Sequence, residues 1–337
     1  MKGILNSKYL SIIITLLLFV FAFIVGAVLY PGFGSMQVIM NILIDNAYLI
    51  VTAIGMTFVI FTGGIDLSVG SMIAFTSMIL ASLLEQNVNP ALVIFLVLAI
   101  GSIIGLIMGF LIQYFKLQPF IVTLIGMFLM RGLCYLVSIQ SISVTDPFFN
   151  KVAQTRIGFI GNSFMSVGVI IAFILLAIAM YLAHYTKFGR TIYAIGGNEN
   201  SAELMGLPVA RTKVLVYGFN GFCSALAGIV FTFYMLSGYP LAAQGVEMDA
   251  IASVVIGGTL LTGGSGFVFG TLFGVLIQGL IKVLLMFQGT LSSWWTSIFI
   301  GILLFIFIAL QVLIVNRRKK QQELSKTISD DNKALNY

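Results

Sequence analysis

Charge is what this sequence has least of. Only 8% of its 337 residues are Asp, Glu, Lys or Arg, while 60% are hydrophobic; an ordinary soluble domain is roughly a quarter charged. That balance excludes a water-soluble globule. Histidine is almost missing, His184 standing alone, and the two cysteines, Cys134 and Cys223, lie far apart within apolar stretches. Zinc sites, disulfide frameworks and Cys–His catalysis all need more of these residues, so the cysteines read as small core residues and no metal site is expected. The signatures G-x-x-x-x-G-K-[ST], H-E-x-x-H and G-x-S-x-G are also missing. Without a nucleotide-binding or catalytic motif the chain is not expected to be an enzyme, and work against a gradient would draw on an ion gradient or a partner.

What is present in quantity is apolar sequence. A membrane-spanning helix takes about 20 apolar residues, and runs such as IIITLLLFVFAFIVGAVLY are continuous rather than alternating like the strands of a barrel. Charges, prolines and polar clusters divide the chain into apolar segments at 9–30, 43–62, 67–85, 91–115, 119–139, 166–185, 212–236, 246–262, 266–287 and 293–315. This predicts an all-α, polytopic membrane protein with about ten transmembrane segments. The first run is too long for a signal-peptide core and lacks a small-residue cleavage pattern, so it reads as a retained span. The net charge of +6 fits the positive-inside rule better than nucleic-acid binding. With both termini cytoplasmic, that side receives Lys2, Lys8, Lys116, Lys187, Arg190, Arg211, Lys213 and the basic residues of the tail, against Lys151 and Arg156 outside. The domain reading is a transmembrane unit over 1–316 and a charged cytoplasmic tail over 317–337.

Two loops stand out: a polar outer one at about 140–165 and an inner one at about 186–211. Thr62-Gly63-Gly64 followed by Gly70 recurs as Thr262-Gly263-Gly264 followed by Gly270, each at a junction between apolar segments. This echo suggests an internal repeat; parity makes the copies parallel, and an odd number of re-entrant segments would invert them. Gly101, Gly105 and Gly109, and again Gly266, Gly270 and Gly274, are spaced to line one helix face, which tight helix packing alone explains.

Ionisable groups within the apolar segments are few, and such groups are expensive in a bilayer. Asp66 in TGGIDLSVG reads either as a cap for the following helix or as lining of a pathway beside a broken helix. Glu247 and Asp249 in QGVEMDAIAS read as first-turn caps or as polar lining for a hydroxylated solute. Arg131 would snorkel or pair with a carboxylate. So few charges disfavour an autonomous ion-coupled carrier.

Three strings, TGGIDLSVGSMIAF, GRTIYAIGGNENSAELMGL and GVEMDAIASVVIGGTLLTGGSG, together resemble the permease subunits of bacterial ATP-binding-cassette (ABC) importers of the ribose, xylose and galactose type. The resemblance covers about residues 10–315. Within that family, NILIDNAYLIVTAIGMTFVI, DAIASVVIGGTLLTGG and GTLSSWWTSIFIGILLFIFIALQ are most similar to galactofuranose importer permeases. The resemblance implies a multi-pass protein of the cytoplasmic (inner) membrane that moves a monosaccharide using ATP hydrolysed elsewhere. Its implied partners are a cytoplasmic ATPase subunit that uses ATP and Mg, a second permease chain (a related one or a second copy) and an extracytoplasmic sugar-binding protein. It binds no cofactor itself. The inner loop becomes the ATPase-coupling element, with Gly189, Arg190, Asn200, Ala202, Glu203 and Gly206; Asn200 to Leu204 would form a short helix, ended by Gly206 and blocked by Pro208. Asp66, Ser68, Glu247 and Asp249 would lie along or near the sugar path, and Thr62, Gly63, Gly64, Thr262, Gly263 and Gly264 would be breaks that bring backbone polar groups to its wall. Another sugar of the same family stays open as an alternative.

Overall fold

The computed structural model describes residues 10–290, 292 and 294–310; the predicted tail over 317–337, Lys2 and Lys8 lie outside them. The helices are α1 (Leu10–Leu29), α2 (Met36–Asp45), α3 (Ala47–Phe61), α4 (Val69–Glu85), α5 (Pro90–Tyr114), α6 (Pro119–Val137), α7 (Pro147–Gln154), α8 (Val167–Tyr185), α9 (Lys187–Gly197), α10 (Glu199–Leu204), α11 (Val209–Met235), α12 (Val246–Ile256) and α13 (Val268–Gln288). A further apolar helix, α14, covers Trp294–Leu310. Local chemistry sets many of the boundaries. Pro90, Pro119 and Pro147 each open a helix, where the missing N–H costs no hydrogen bond. The side chains of Asn89 and Asp146 cap α5 and α7 by accepting from the amides of Ala91 and Phe149.

Each of the ten predicted segments holds a helix, with two corrections. The segment at 43–62 is the second part of a longer broken element, because α2 and α3 meet at Asn46 with a bend of 59°. There Asn46 Nδ2 donates to the Ile42 carbonyl, and its own carbonyl accepts from Ile50. The segment at 246–262 is helical only to Ile256. Gly257 and Gly258 end α12, Gly258 at φ +94°, and the amides of Gly258 and Thr259 return to Val255 and Val254. Among the described residues, five helices are long and apolar enough to cross a membrane, six if the bent pair is one span, and shorter apolar helices occupy Ile13–Leu29, Val69–Glu85 and Trp294–Leu310.

Helix α11 is the axis of the bundle and packs on α3, α4 and α5. The first glycine series makes the closest of these approaches. A Cβ on Gly101 would meet Ala225 and Gly221, one on Gly105 would meet Tyr217 and Gly218, and one on Gly109 would meet Val214 and Tyr217. In the second series, Gly270 and Gly274 abut Gly257 and Ser253 of α12, but Gly266 lies before α13 with φ +152° and does not share their face. Large apolar side chains point away from the bundle on its rim, among them Phe95, Ile125, Phe128, Leu136 and Phe305. Such a rim is suited to lipid or to another apolar protein face, not to water.

The two ends of the bundle differ. One carries α9 and α10. The other carries α7 and two short antiparallel ladders: β1 (Ile142–Ser143) with β4 (Ser237–Gly238), and β2 (Ile157–Gly158) with β3 (Phe164–Met165). Thus the predicted outer loop is structured, and β1–β4 ties it to the exit of α11.

Candidate functional site

The two Thr-Gly-Gly elements, two hundred residues apart, meet in space. Gly264 N–H donates to the Phe61 carbonyl at 3.0 Å, and a Cβ on Gly263 would lie 2.6 Å from the Gly63 nitrogen. Their local forms differ. Thr62-Gly63-Gly64 is itself the end of α3: Gly63 takes φ +77°, and the amides of Gly63 and Gly64 close onto Ile60 and Val59. Thr262-Gly263-Gly264 is a separate turn beyond the end of α12, with Gly263 and Gly264 at φ +84° and +72°. In each copy one helix leads into the junction, α3 or α12, and another leads away from it, α4 or α13.

A third backbone closes on the same point. Gly196, near the end of α9, faces the Phe61 carbonyl and the Gly264 amide so closely that any side chain there would overlap both. A Cβ on Gly264 would in turn lie 2.7 Å from the Gly197 nitrogen. Tyr193, one turn earlier on α9, donates its hydroxyl to the Gly266 carbonyl at 3.0 Å. Burial pushes that phenol above its ordinary pKa, so it stays a neutral donor. The loop over 186–211 is therefore joined through backbone to both breaks.

The remainder of that loop is built as a projecting knob. Asn198 caps α10 by accepting from the Ser201 amide at 2.8 Å. Gly206 at φ +75° closes it, with the amides of Gly206 and Leu207 returning to Glu203 and Ala202. The predicted short helix at Asn200–Leu204 begins one residue earlier, at Glu199. Ala202 is buried with Ile195 and Val209, and Lys213 on α11 binds both carboxylate oxygens of Glu199 at 2.9 and 2.8 Å. Asn200 and Glu203 point outward, as do Leu204 and Met205, which are 89% and 68% exposed. Gly189 is buried against Ala183, where the amide donates to the Thr186 side chain, and Arg190 is exposed.

Asp66 is buried, and donors surround its carboxylate. Oδ1 accepts from the Ser68 amide at 2.8 Å and the Ser68 hydroxyl at 2.6 Å, and Oδ2 accepts from Asn220 Nδ2 of α11 at 2.7 Å. Asn220 lies eleven residues into α11, about 16 Å along a helix rising 1.5 Å per residue. So α4 starts deep within the bundle, clasped to its axis, with the carboxylate beside its positive end. Ser68, not Asp66, is the residue at the helix boundary.

The start of α4 abuts the start of α12: a Cβ on Gly70 would meet the Ala243 carbonyl and the carboxylate of Glu247. The approach to α12 needs positive φ at Leu236, Ala243 and Gly245, and Arg131 Nη1 holds it by donating to the carbonyls of Pro240 and Ala242 at 2.8 and 2.7 Å. Thus Arg131 serves carbonyls and does not pair with Asp66. Asp249 faces Lys282 of α13 at 3.7 Å, and its backbone carbonyl accepts from Gln278. Sequence reasoning missed Asn220, Gly196 and Lys282. Two of these carried a local signal, Gly196-Gly197 as adjacent glycines at a helix end and Lys282 as a charge inside an apolar segment; Asn220 carried none.

The family model described as "Branched-chain amino acid transport system / permease component" matches residues 38–308. The chain is 51% identical over 306 residues to the inner membrane ABC transporter permease protein YjfF of Escherichia coli, covering 90% of this chain and 92% of that protein. It is 40% identical over 324 residues to the fructose import permease protein FruG of Bifidobacterium longum, covering 94% and 95%. With the ribose import permease protein RbsC of Bacillus subtilis it shares 42% identity over 289 residues, covering 85% and 88%. No solved structure matches the chain.

Proposed function

The chain belongs to the family of transport-system permease components, and from that premise we propose that it is the membrane-spanning subunit of an ABC importer whose cargo is a monosaccharide. A permease component carries cargo and is not itself an enzyme. The end bearing α9 and α10, and both termini, face the cytoplasm. There the exposed tip of α10 docks on an ATPase subunit that consumes ATP and Mg, and at the opposite end a sugar-binding protein delivers cargo. A second permease chain, related or identical, completes the path. The polar residues named from sequence divide by role: Glu247 and Asp249 stay near the path, while Asp66 and Ser68 serve as the clasp that holds the start of α4.

The observation that carries this reading is the three-way backbone junction of Phe61–Gly64, Gly196–Gly197 and Thr262–Gly266. Displacing α10 drags α9, and α9 cannot move without both breaks, because the contacts are backbone on backbone and have no side chain to absorb the motion. A partner's closure thus reaches the end of α3 and the turn between α12 and α13 in one step. A sugar cargo is favoured over a branched-chain amino acid by FruG and RbsC, which are named for fructose and ribose import. The narrower assignment, galactofuranose, draws on the motifs over 41–60, 249–264 and 289–311.

Purification of the tagged chain in mild detergent, with mass identification of every stoichiometric partner and an ATPase assay, tests the reading. The expected result is an ATPase subunit and a second permease chain with measurable hydrolysis. Recovery of this chain alone, with transport indifferent to ATP, overturns it. Uptake of L-leucine in place of D-ribose, D-fructose or D-galactose retains the importer and overturns the sugar.

A further inference from the structure

A track of polar side chains descends one side of the bundle, separate from the clasp and the glycine junction. It starts at Tyr234, next to last on α11, whose hydroxyl donates to Asp45 Oδ1 at 3.2 Å. Asp45 is the last residue of α2, at the bend before α3, and Tyr48 follows one turn on. Gly279 of α13 packs against the neighbouring Asn46, which brings Lys282 to the same side. Lys282 lies 3.7 Å from Asp249, and the two side chains are 31% and 30% exposed. Beside them is a cavity of about 290 Å³, lined by Asp249, Lys282, Thr296 and Ser297 together with Leu285, Met286 and Ile300. That volume is at the small end of ligand pockets.

Depth makes this track informative. Gln278, which binds the Asp249 carbonyl, lies ten residues into α13, and Lys282 fourteen. At 1.5 Å per residue these positions are roughly 15 and 21 Å along a helix that spans the bundle. Ionisable groups at such heights face an ion-pair partner, the bundle interior or a water-filled cavity rather than hydrocarbon. The rim of α5 and α6 shows what a lipid face looks like here: Phe95, Ile125, Phe128 and Leu136, all apolar and more than 60% exposed. The Tyr234–Asp249 side carries two carboxylates, an ammonium and two phenols instead.

On the permease reading above, we infer that Tyr234, Asp45, Tyr48, Lys282 and Asp249 form this chain's own wall of the outward half of the cargo path, wet in the assembled importer and closed on its far side by the second permease chain. The ligand class is a neutral polyhydroxylated monosaccharide. Carboxylates accept from sugar hydroxyls, the ammonium and phenols donate to them, and the rings offer apolar faces to C–H groups. These groups are spread along a track rather than gathered in one cage, so a sugar is passed along and not retained.

Cysteine accessibility in the assembled importer tests the inference without knowledge of the sugar. Met248→Cys, 56% exposed beside Asp249, and Tyr234→Cys are compared with Phe128→Cys and Ile125→Cys on the rim, using a membrane-impermeant methanethiosulfonate on whole cells. Native Cys134 and Cys223 are buried and supply the background. Since the reactive thiolate requires water, Tyr234→Cys on the track and Met248→Cys next to it are expected to label at least about tenfold faster than the rim positions. Met248→Cys leaves the Tyr234–Asp45 bond intact, so one variant remains informative if the other fails to reach the membrane. Labelling of Met248→Cys as slow as Phe128→Cys, in an importer that still takes up sugar with ATP, overturns the track alone. Fast labelling in a complex that takes up L-leucine but no D-ribose, D-fructose or D-galactose overturns the sugar assignment alone, whereas recovery of this chain without an ATPase subunit, with transport indifferent to ATP, overturns the permease reading.

Discussion

Replacing Gly196 by Ala tests the glycine junction at a single atom. The added methyl would overlap the Phe61 carbonyl oxygen and the Gly264 nitrogen and would lie 3.0 Å from the Gly263 carbonyl carbon, so backbone, not a flexible side chain, must yield. Inserting a methyl into a packed site costs about 1–3 kcal/mol. Parting the strands also loses the 3.0 Å bond from Gly264 to Phe61, a further ~0.5–1.5 kcal/mol. Alanine returns about 0.5–1 kcal/mol of helix propensity, which leaves a net loss of roughly 0.5–4 kcal/mol. The adjacent Gly197 is the control, because a Cβ there meets nothing within 4 Å. Thermal unfolding of the purified chain is expected to show Gly196→Ala lowered by several degrees and Gly197→Ala unchanged or raised. In the full complex, Gly196→Ala is expected to hydrolyse ATP while moving less cargo per ATP. Equal melting and equal uptake for the two variants would refute the backbone-contact argument.

Other consequences concern the clasp, the knob and Arg131. Asp66→Ala leaves Asn220 Nδ2 and the Ser68 amide unpaired within the bundle, an expected loss of ~2–4 kcal/mol by denaturant unfolding, whereas Asp66→Asn is expected to cost under about half of that, because Asn220 can turn its free Oδ1 toward the new amide. Equal losses would show that charge, not hydrogen bonding, matters at Asp66. Asn198→Ala removes the cap of α10 and Gly206→Ala forces a side chain into φ +75°; each is expected to cost about 1 kcal/mol and to weaken ATPase co-purification while leaving the membrane helices folded by circular dichroism. Arg131→Gln is expected to free the segment before α12, read as faster proteolysis at 239–245, because the two carbonyls it serves lose their donor; unchanged cleavage would contradict that role.

Much of this architecture was legible in the sequence because its signals are local. Pro90, Pro119 and Pro208, the Gly206 stop and the apolar runs each act within a few residues, and they mark α5, α6, the end of α10 and most of the bundle. The Thr-Gly-Gly echo was readable as a recurrence. Its meaning was not, since the contact between Gly263 and Gly63 depends on tertiary packing two hundred residues apart. The clasp was half readable: Asp66 beside a helix start is a local pattern, but Asn220 comes from another helix and has no sequence link to it. The bend at Asn46 and the early end of α12 each had a local mark, Asp45-Asn46 and Gly257-Gly258, but the apolar residues on both sides outweighed it, and hydrophobicity reports burial in lipid or protein alike and says little about where a helix breaks. Arg131 was expected to snorkel or to pair with a carboxylate; in the structure it does neither and serves carbonyls of the segment before α12, partners that only tertiary packing supplies.

The central claim is that this chain moves a sugar only when a partner's ATP cycle moves α10. Uptake of radiolabelled D-ribose, D-fructose and D-galactose into proteoliposomes that hold the complete complex, with the binding protein outside and ATP or a non-hydrolysable analogue inside, measures it directly. The account predicts uptake of at least one sugar with ATP and none above leak with the analogue. Uptake at the same rate in both would contradict it.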